Sequence, residues 1–267
     1  MLEIKEYIKA ESLEQAYELN QKKSNQIIGG MLWMKMGNHR IQTAIDLSGL
    51  GLDMIEETEE AFSIGCMVTL RQMELHEGLN QWTQGAIRES VRHIVGVQFR
   101  NLATVGGSMY GRYGFSDVLT CFLALNTYIE LYKGGIVSLE QFVQMPKDNN
   151  ILVRVILKKT PVRCAYLSHR NTKTDFPVLT CAVSMDETGI YAAIGARPGK
   201  AIRIPVLLEK EFEGAGSENK KADVFHAAEK LCAQIPTESN MRASAEYRTH
   251  LAKVLLKRGL MQILEVD

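Results

Sequence analysis

The chain has 267 residues with 31 basic and 31 acidic side chains, so its formal net charge is zero and no global field draws it to nucleic acid or an anionic membrane. No apolar run approaches the roughly 20 residues of a spanning helix. The N-terminal "MLEIKEYIKAESLEQAYEL" is charged throughout, without the apolar stretch of a signal peptide, so a cytoplasmic protein of one large domain or a few smaller ones is expected.

Ser12 followed by Gln15 is a capping box that opens an amphipathic helix through Leu19, after a short first strand. Asn25 to Ile28 reads as a second strand broken by Gly29-Gly30, and Met31 to Met36 as first helical turns or a tight loop. Strand signals recur at Thr43 to Leu47 and Ala61 to Ile64, and "VTLRQMELHE" from Val68 reads as a helix. Gly85 to Val97 has helical spacing and leads into "RNLATVGGSMYGRYGFSD". "VLTCFLALN" is nearly continuous apolar, and "TYIELYKGGIVSLEQFV" reads as two strand-like runs joined at Gly134-Gly135. "ILVRVILKK" is one more strand.

From Pro161 the texture changes. "VLTCAVSMD" and "IYAAIGARP" flank the turn "DETG" and should pair. A loop rich in Gly, Ser and Lys ("EGAGSENKK") precedes two helices. One carries Val224, Ala227, Ala228, Leu231 and Ile235 on its apolar stripe, and the other Tyr247, Leu251, Val254 and Leu255.

Cys66, Cys121, Cys164, Cys181 and Cys232 are widely spaced with no C-x-x-C, which reads as reduced, buried thiols. The scattered histidines form no H-E-x-x-H pair, so no metal is expected on this chain.

Two glycine pairs, Gly29-Gly30 and Gly106-Gly107, follow strand-like runs. Glycine lets a ligand approach backbone N–H groups closely, and successive N–H groups can form an anion-binding concavity. Two such loops together could cradle a pyrophosphate without a lysine, although a lone pair is more often a tight turn. No standard nucleotide signature supports the idea: "GLGLDMI" lacks the third glycine of the dinucleotide fingerprint. "GARPGKA" is one residue short of a P-loop, with Ala201 where Ser or Thr is needed.

The order of these segments resembles the FAD-binding (medium) subunit of the molybdenum hydroxylases, of the xanthine dehydrogenase and carbon monoxide dehydrogenase type. "RNLATVGGSMYGRYGFSD" is similar to the family's R-N-x-A-T-I-G-G-N segment with its later Ser-Asp, and "IIGGMLW" to its A-G-G-T-[DS]-L loop. "IDLSGLGLDMI", "FSIGCMVTLRQME" and "AEYRTHLAKVLLKRGL" resemble the intervening segments and the Tyr-Arg closing helix. The resemblance implies an α+β fold of the vanillyl-alcohol-oxidase type. Two subdomains, residues 1–50 and 51–160, would clasp FAD, followed by a C-terminal domain of an antiparallel sheet plus helices, residues 161–267.

It also implies that the pyrophosphate of FAD lies between the glycine loops. Contacts would come from Ile27, Ile28, Gly29, Gly30, Met31, Leu32 and Trp33 on one side and Thr104, Gly106, Gly107 and Ser108 on the other. Asp117 would accept from ribose hydroxyls, its other reading being a helix N-cap, and Ile94 and Leu152 would line the flavin region. Met31 stands where the family usually has Thr, Leu32 where it has Asp, Ser or Glu, Ser108 where it has Asn, and Leu167 where some relatives have a lysine near the ring.

The function implied is an electron-transfer oxidoreductase subunit active only in a complex. An iron–sulfur small subunit carrying [2Fe-2S] clusters and a large subunit carrying molybdopterin would deliver electrons to FAD, which passes them to an acceptor such as NAD. The alternative is a non-catalytic scaffold or flavin-loading subunit with weakened or lost FAD binding.

Overall fold

The protein is described here from a computed structural model over residues 1–208 and 217–266. The chain opens with β1 (Glu3–Lys9), α1 (Leu13–Asn20), β2 (Gln26–Ile28) and β3 (Arg40–Asp46). Strands β4 (Ile55–Glu57) and β5 (Ala61–Gly65) lead to α2 (Leu70–Leu75), α3 (Glu77–Trp82), α4 (Ala86–Arg92), α5 (Val97–Arg100), α6 (Val105–Tyr110) and α7 (Asp117–Ala124). Next come β6 (Thr127–Leu131), β7 (Gly135–Ser138), α8 (Leu139–Gln144) and β8 (Leu152–Lys158). The C-terminal part holds β9 (Arg163–His169), β10 (Leu179–Asp186), β11 (Gly189–Gly195), β12 (Ile202–Val206), α9 (Ser217–Cys232) and α10 (Ala245–Ile263).

These elements form two compact units. The first comprises Met1–Leu75, Val95–Gly111 and Thr127–Lys158, and the second comprises His76–Ile94, Arg112–Asn126 and the chain from Lys159 onward.

In the first unit β3 lies between β1 and β2 and is parallel to both. Parallel strands need a crossover connection, and α1 supplies one on the way from β1 to β2, which leaves room for β3 between them. Ser12 caps α1 by accepting from the Gln15 N–H at 3.1 Å, while Gln15 Oε1 reaches back to the Glu11 N–H. A second sheet, in the order β4-β5-β8-β6-β7, is antiparallel throughout. The expected hairpin is present as β6 and β7, with Gly135 at φ +68°. Its second run stops at Ser138, because Ser138 and Gln141 form a full capping box and turn "LEQFVQ" into α8.

In the second unit β12-β11-β10-β9 form an antiparallel meander, and "VLTCAVSMD" and "IYAAIGARP" pair as expected, closing at Asp186 opposite Gly189. The apolar run after Ser116 is α7, and every residue from Asp117 to Ala124 is buried. A helix apolar all round is one enclosed on all sides. It packs on the β10 face that carries Thr180 and Ser184, where Thr120 and Thr180 hydroxyls meet at 3.0 Å and the Ser184 hydroxyl donates to the Ala124 carbonyl. The opposite face, with Cys181 and Val183, joins α9 and α10 in one core, as side chains alternating across a strand require. The Gly, Ser and Lys-rich loop lies outside the described residues up to residue 216, and from Ser217 onward the chain is helical.

The α10 stripe differs from the periodicity reading at one end. Leu251 and Leu255 are buried and Val254 half-buried, but Tyr247 is exposed and Arg248, its neighbour, is the buried side chain. Four neutral acceptors make this tolerable. Arg248 donates to the Val178 carbonyl at 3.0 Å, to the Glu238 and Ala243 carbonyls at 2.6 and 2.7 Å, and to Asn240 Oδ1 at 2.6 Å. One guanidinium thereby ties the chain before β10 and the 238–243 turn to α10.

Replacing Arg248 by Met keeps the side chain's apolar stem but orphans those acceptors. The expected loss is on the order of 3 kcal/mol of stability, read from the urea unfolding midpoint.

Candidate functional site

The first glycine loop follows β2, in which Ile27 is half-buried and Ile28 buried. Beyond Gly29 and Gly30 the backbone turns at Met31, whose φ of +58° lies in the left-handed region. That conformation costs a residue with a Cβ about 1–2 kcal/mol. The Met31 side chain offsets it by packing against the small core of Ile28, Ile41 and Ala44. Leu32 and Trp33 lead into a 3-10 turn at Met34–Met36, and the Trp33 ring meets Phe99 edge-on with centroids 6.3 Å apart.

The second loop is the N-terminus of α6. Thr104 caps it, accepting from the Gly107 N–H at 3.2 Å. The Val105, Gly106 and Ser108 N–H groups donate to the carbonyls of Val68, Cys66 and Thr104 at 2.8, 2.9 and 3.1 Å. Every donor from Val105 to Ser108 is thus committed to holding the loop in place.

The glycines separate by what a side chain would meet. A Cβ on Gly106 would lie 2.7 Å from the Cys66 carbonyl oxygen. On Gly30 it would lie 1.9 Å from the Leu102 carbonyl oxygen, and on Gly29 2.7 Å from Thr104 Oγ1. Gly30 therefore packs directly onto the backbone that leads into the second loop, and Gly29 onto the side chain of its capping residue, Thr104. Gly107 is exposed, and a Cβ there would meet only Thr104 Oγ1, at 3.1 Å.

At this junction the unspent donors belong to the first loop. Among the described residues nothing accepts a hydrogen bond from the N–H groups of Gly30, Met31 or Leu32, which are all half-buried. Half-buried donors with no protein partner are left to water or to a ligand. Three successive free ones make a concavity suited to an anion's oxygens.

Arg100, the first residue of "RNLATVGG", anchors the second loop from behind. Its Nε and Nη2 grip Glu74 at 2.8 and 3.2 Å in a buried pair, and Arg71 adds a contact at 2.9 Å. Burial pushes the Glu74 carboxyl up, but the Arg100 and Arg71 hydrogen bonds outweigh it and hold the pKa below the ordinary value. The sequence pattern named Arg100 without a role and missed Glu74, a partner 26 residues away that no local periodicity announces.

The remaining expected residues are dispersed. Leu152 is buried at the start of β8, opposite Leu131. Ile94 and Asp117 belong to the second unit. The N-cap of α7 is Ser116, which accepts from the Leu119 N–H, and Asp117 is the first helical residue. Asp117 Oδ1 accepts from the Tyr166 hydroxyl at 2.5 Å and from Arg170. Burial raises this carboxyl's pKa, and Arg170 and Tyr166 pull it back down. Leu167 packs against the core under α10, which accounts for an apolar residue there.

Two family profiles match the chain: "FAD binding domain in molybdopterin dehydrogenase" over residues 2–159 and "CO dehydrogenase flavoprotein C-terminal domain" over residues 165–263. YgfM of Escherichia coli K12, an uncharacterized protein, is 26% identical over 258 residues, covering 95% of this chain and 94% of YgfM. Carbon monoxide dehydrogenase from Hydrogenophaga pseudoflava, in a form lacking the Mo-pyranopterin moiety of the molybdenum cofactor, superposes with a TM-score of 0.83 at 21% identity over 97% of both chains. Quinoline 2-oxidoreductase from Pseudomonas putida 86 gives a TM-score of 0.82 at 18% identity, over 97% of this chain and 96% of that one. The chain belongs to the molybdopterin dehydrogenase flavoproteins: it is an FAD-binding oxidoreductase subunit of the molybdenum hydroxylase family, carbon monoxide dehydrogenase-like.

The residues present fit FAD. Free N–H groups at Gly30 to Leu32 suit a pyrophosphate, since N–H groups facing phosphate oxygens make charge-assisted bonds, and Gly107 leaves the adjoining space open.

The contrast between the glycines is measurable without any ligand. Gly30→Ala drives a Cβ into a carbonyl and should lower the thermal midpoint by roughly 10 °C or more. Gly107→Ala should leave it nearly unchanged.

The Glu74 carboxyl has a lowered folded pKa, so its stabilisation is present above the unfolded value near about 4.3 and is lost as pH falls through the folded value. Accordingly Glu74→Gln should cost about 3 kcal/mol at neutral pH, a difference that shrinks steadily below about pH 4 in paired denaturation curves.

Proposed function

We propose that this chain binds FAD by its pyrophosphate at the junction of the glycine loops and serves as the electron-transfer subunit of a molybdenum hydroxylase complex. The observation that carries the reading is the set of three N–H groups at Gly30, Met31 and Leu32 with no partner among the described residues, on a loop whose Gly30 lies directly against the Leu102–Ala103 backbone. These donors belong to the main chain, so the apolar side chains at Met31 and Leu32 do not remove them. The contact set would comprise Ile27 to Trp33 and Thr104, Gly106, Gly107 and Ser108. In it, Gly106 secures the loop and Gly107 keeps space for phosphate oxygens. Ile94, Asp117 and Leu152 are proposed contacts on the resemblance alone.

When bound, FAD supplies the redox chemistry, receiving electrons from iron–sulfur clusters of a small partner subunit fed by a molybdopterin-bearing large subunit, and passing them to an acceptor such as NAD. The protein's own residues bind, orient and shield, so no acid or base of this chain is assigned a catalytic role. A division at residues 50 and 160 is supported by the change from one sheet to the next near both points. Five free, buried cysteines support a cytoplasmic setting.

The second reading, a scaffold or flavin-loading subunit, is favoured by the loss of polar side chains at Met31 and Leu32. A titration of the purified chain with FAD, followed by its visible spectrum, separates the two. The electron-transfer reading expects stoichiometric flavin retention in the wild type, its loss in Gly107→Val with the far-UV dichroism unchanged, and reduction of NAD only after partner chains are added. A wild-type chain that takes up no flavin at saturating FAD sinks this reading in favour of the scaffold.

A further inference from the structure

The "GARPGKA" turn, which imitates a P-loop without being one, lines a different cavity wholly within the second unit. Gly114 lets two backbone segments close on each other there: a Cβ on it would lie 2.3 Å from the Gly199 carbonyl oxygen, and its own carbonyl accepts from the Ala196 N–H at 2.5 Å. Arg197 pins the turn through the Lys200 and Pro236 carbonyls at 2.7 and 2.8 Å. The resulting cavity of about 130 Å³ has apolar walls from Phe115, Phe176, Pro177 and Pro198, and its polar lining is Asn240, Arg242 and Arg248. A cavity of about 150 Å³ accommodates a benzene ring.

The charges around it do not cancel. Arg170 pairs with Asp117 and Arg242 with Asp175, but among the described residues no carboxylate forms an ion pair with Arg248, whose acceptors are all neutral. Burial and the like charge of Arg242 both press against Arg248's protonated form. The Arg242 Nε is also buried and has no hydrogen-bond partner among the described residues. The Arg242 guanidinium lies 4.8 Å from the centre of the Phe176 ring, and Phe176 meets Phe115 edge-on at 4.6 Å, so cation and aromatic walls are contiguous. An uncompensated positive charge, a charged donor without a partner and an apolar chamber a little smaller than one that holds benzene together favour an anion with a flat apolar body.

We propose that this pocket is a binding site for a small aromatic monocarboxylate, with the carboxylate on Arg242 and the ring among Phe115, Phe176 and the prolines. The site lies in the second unit and does not rest on the flavin reading.

Calorimetric titration of the full-length chain with benzoate tests it, beside benzyl alcohol as a neutral analogue and acetate as an anion without a ring. Benzoate should bind at least about tenfold more tightly than either, and Arg242→Met should weaken it about tenfold or more at an unchanged unfolding midpoint. Benzyl alcohol binding as well as benzoate, or full benzoate affinity in Arg242→Met, would overturn the proposal. So would competitive displacement of benzoate by FAD, which would make the pocket part of the flavin's own site.

Discussion

The approach of Gly30 to the Leu102 carbonyl is the constraint on which the candidate site depends. A side chain's first carbon cannot fit there, so the backbone of the first loop rests against the backbone that leads into the second. Everything the site can do follows from that contact. Because the contact is main chain to main chain, it is indifferent to the side chains at Met31 and Leu32. The Met31 side chain turns inward to the small sheet's core, which lets an unusual residue occupy a left-handed position.

The two loops have complementary tasks. Around Gly106 and Gly107 the hydrogen bonds are spent internally, on Cys66, Val68 and Thr104, and the buried Arg100–Glu74 pair braces the loop from behind. That loop is a rigid wall. Around Gly30 to Leu32 the donors have no partner among the described residues, and this loop is the side proposed to receive the ligand. A site of this kind is preorganised: the ordering cost is met by folding, before any ligand arrives.

Much of this could be read from residues, and the failures have physical causes. The glycine pairs were visible as a pattern, and their place in one family followed from the motifs around them, but spacing cannot say which glycine makes room for a carbonyl and which for a ligand. That distinction needed Leu102 and Cys66, which approach through tertiary packing. The capping signals at Ser12 and the turn at Asp186–Gly189 were legible because their determinants are local. "SLEQFV" was read as strand because its apolar residues satisfy either period, and the Ser138 capping box decided for helix. Tyr247 was placed in the core by periodicity, which ranks an arginine as outward-facing. Arg248 goes inside instead because a cage of carbonyls is waiting, a long-range arrangement invisible in any window of α10.

Both units bury charge, and each does so with its own compensation: a carboxylate for Arg100 and Arg170, neutral oxygens for Arg248. The central claim concerns the first unit, that the main-chain donors of Gly30, Met31 and Leu32 receive the pyrophosphate of FAD. Amide nitrogen–proton NMR spectra of the chain titrated with FAD, and separately with riboflavin, which has no phosphate, test it most directly. The account predicts large shifts at the Gly30, Met31 and Leu32 amides with FAD and little change there with riboflavin. Equal shifts with both ligands, or FAD binding that leaves those three amides unmoved, would contradict it.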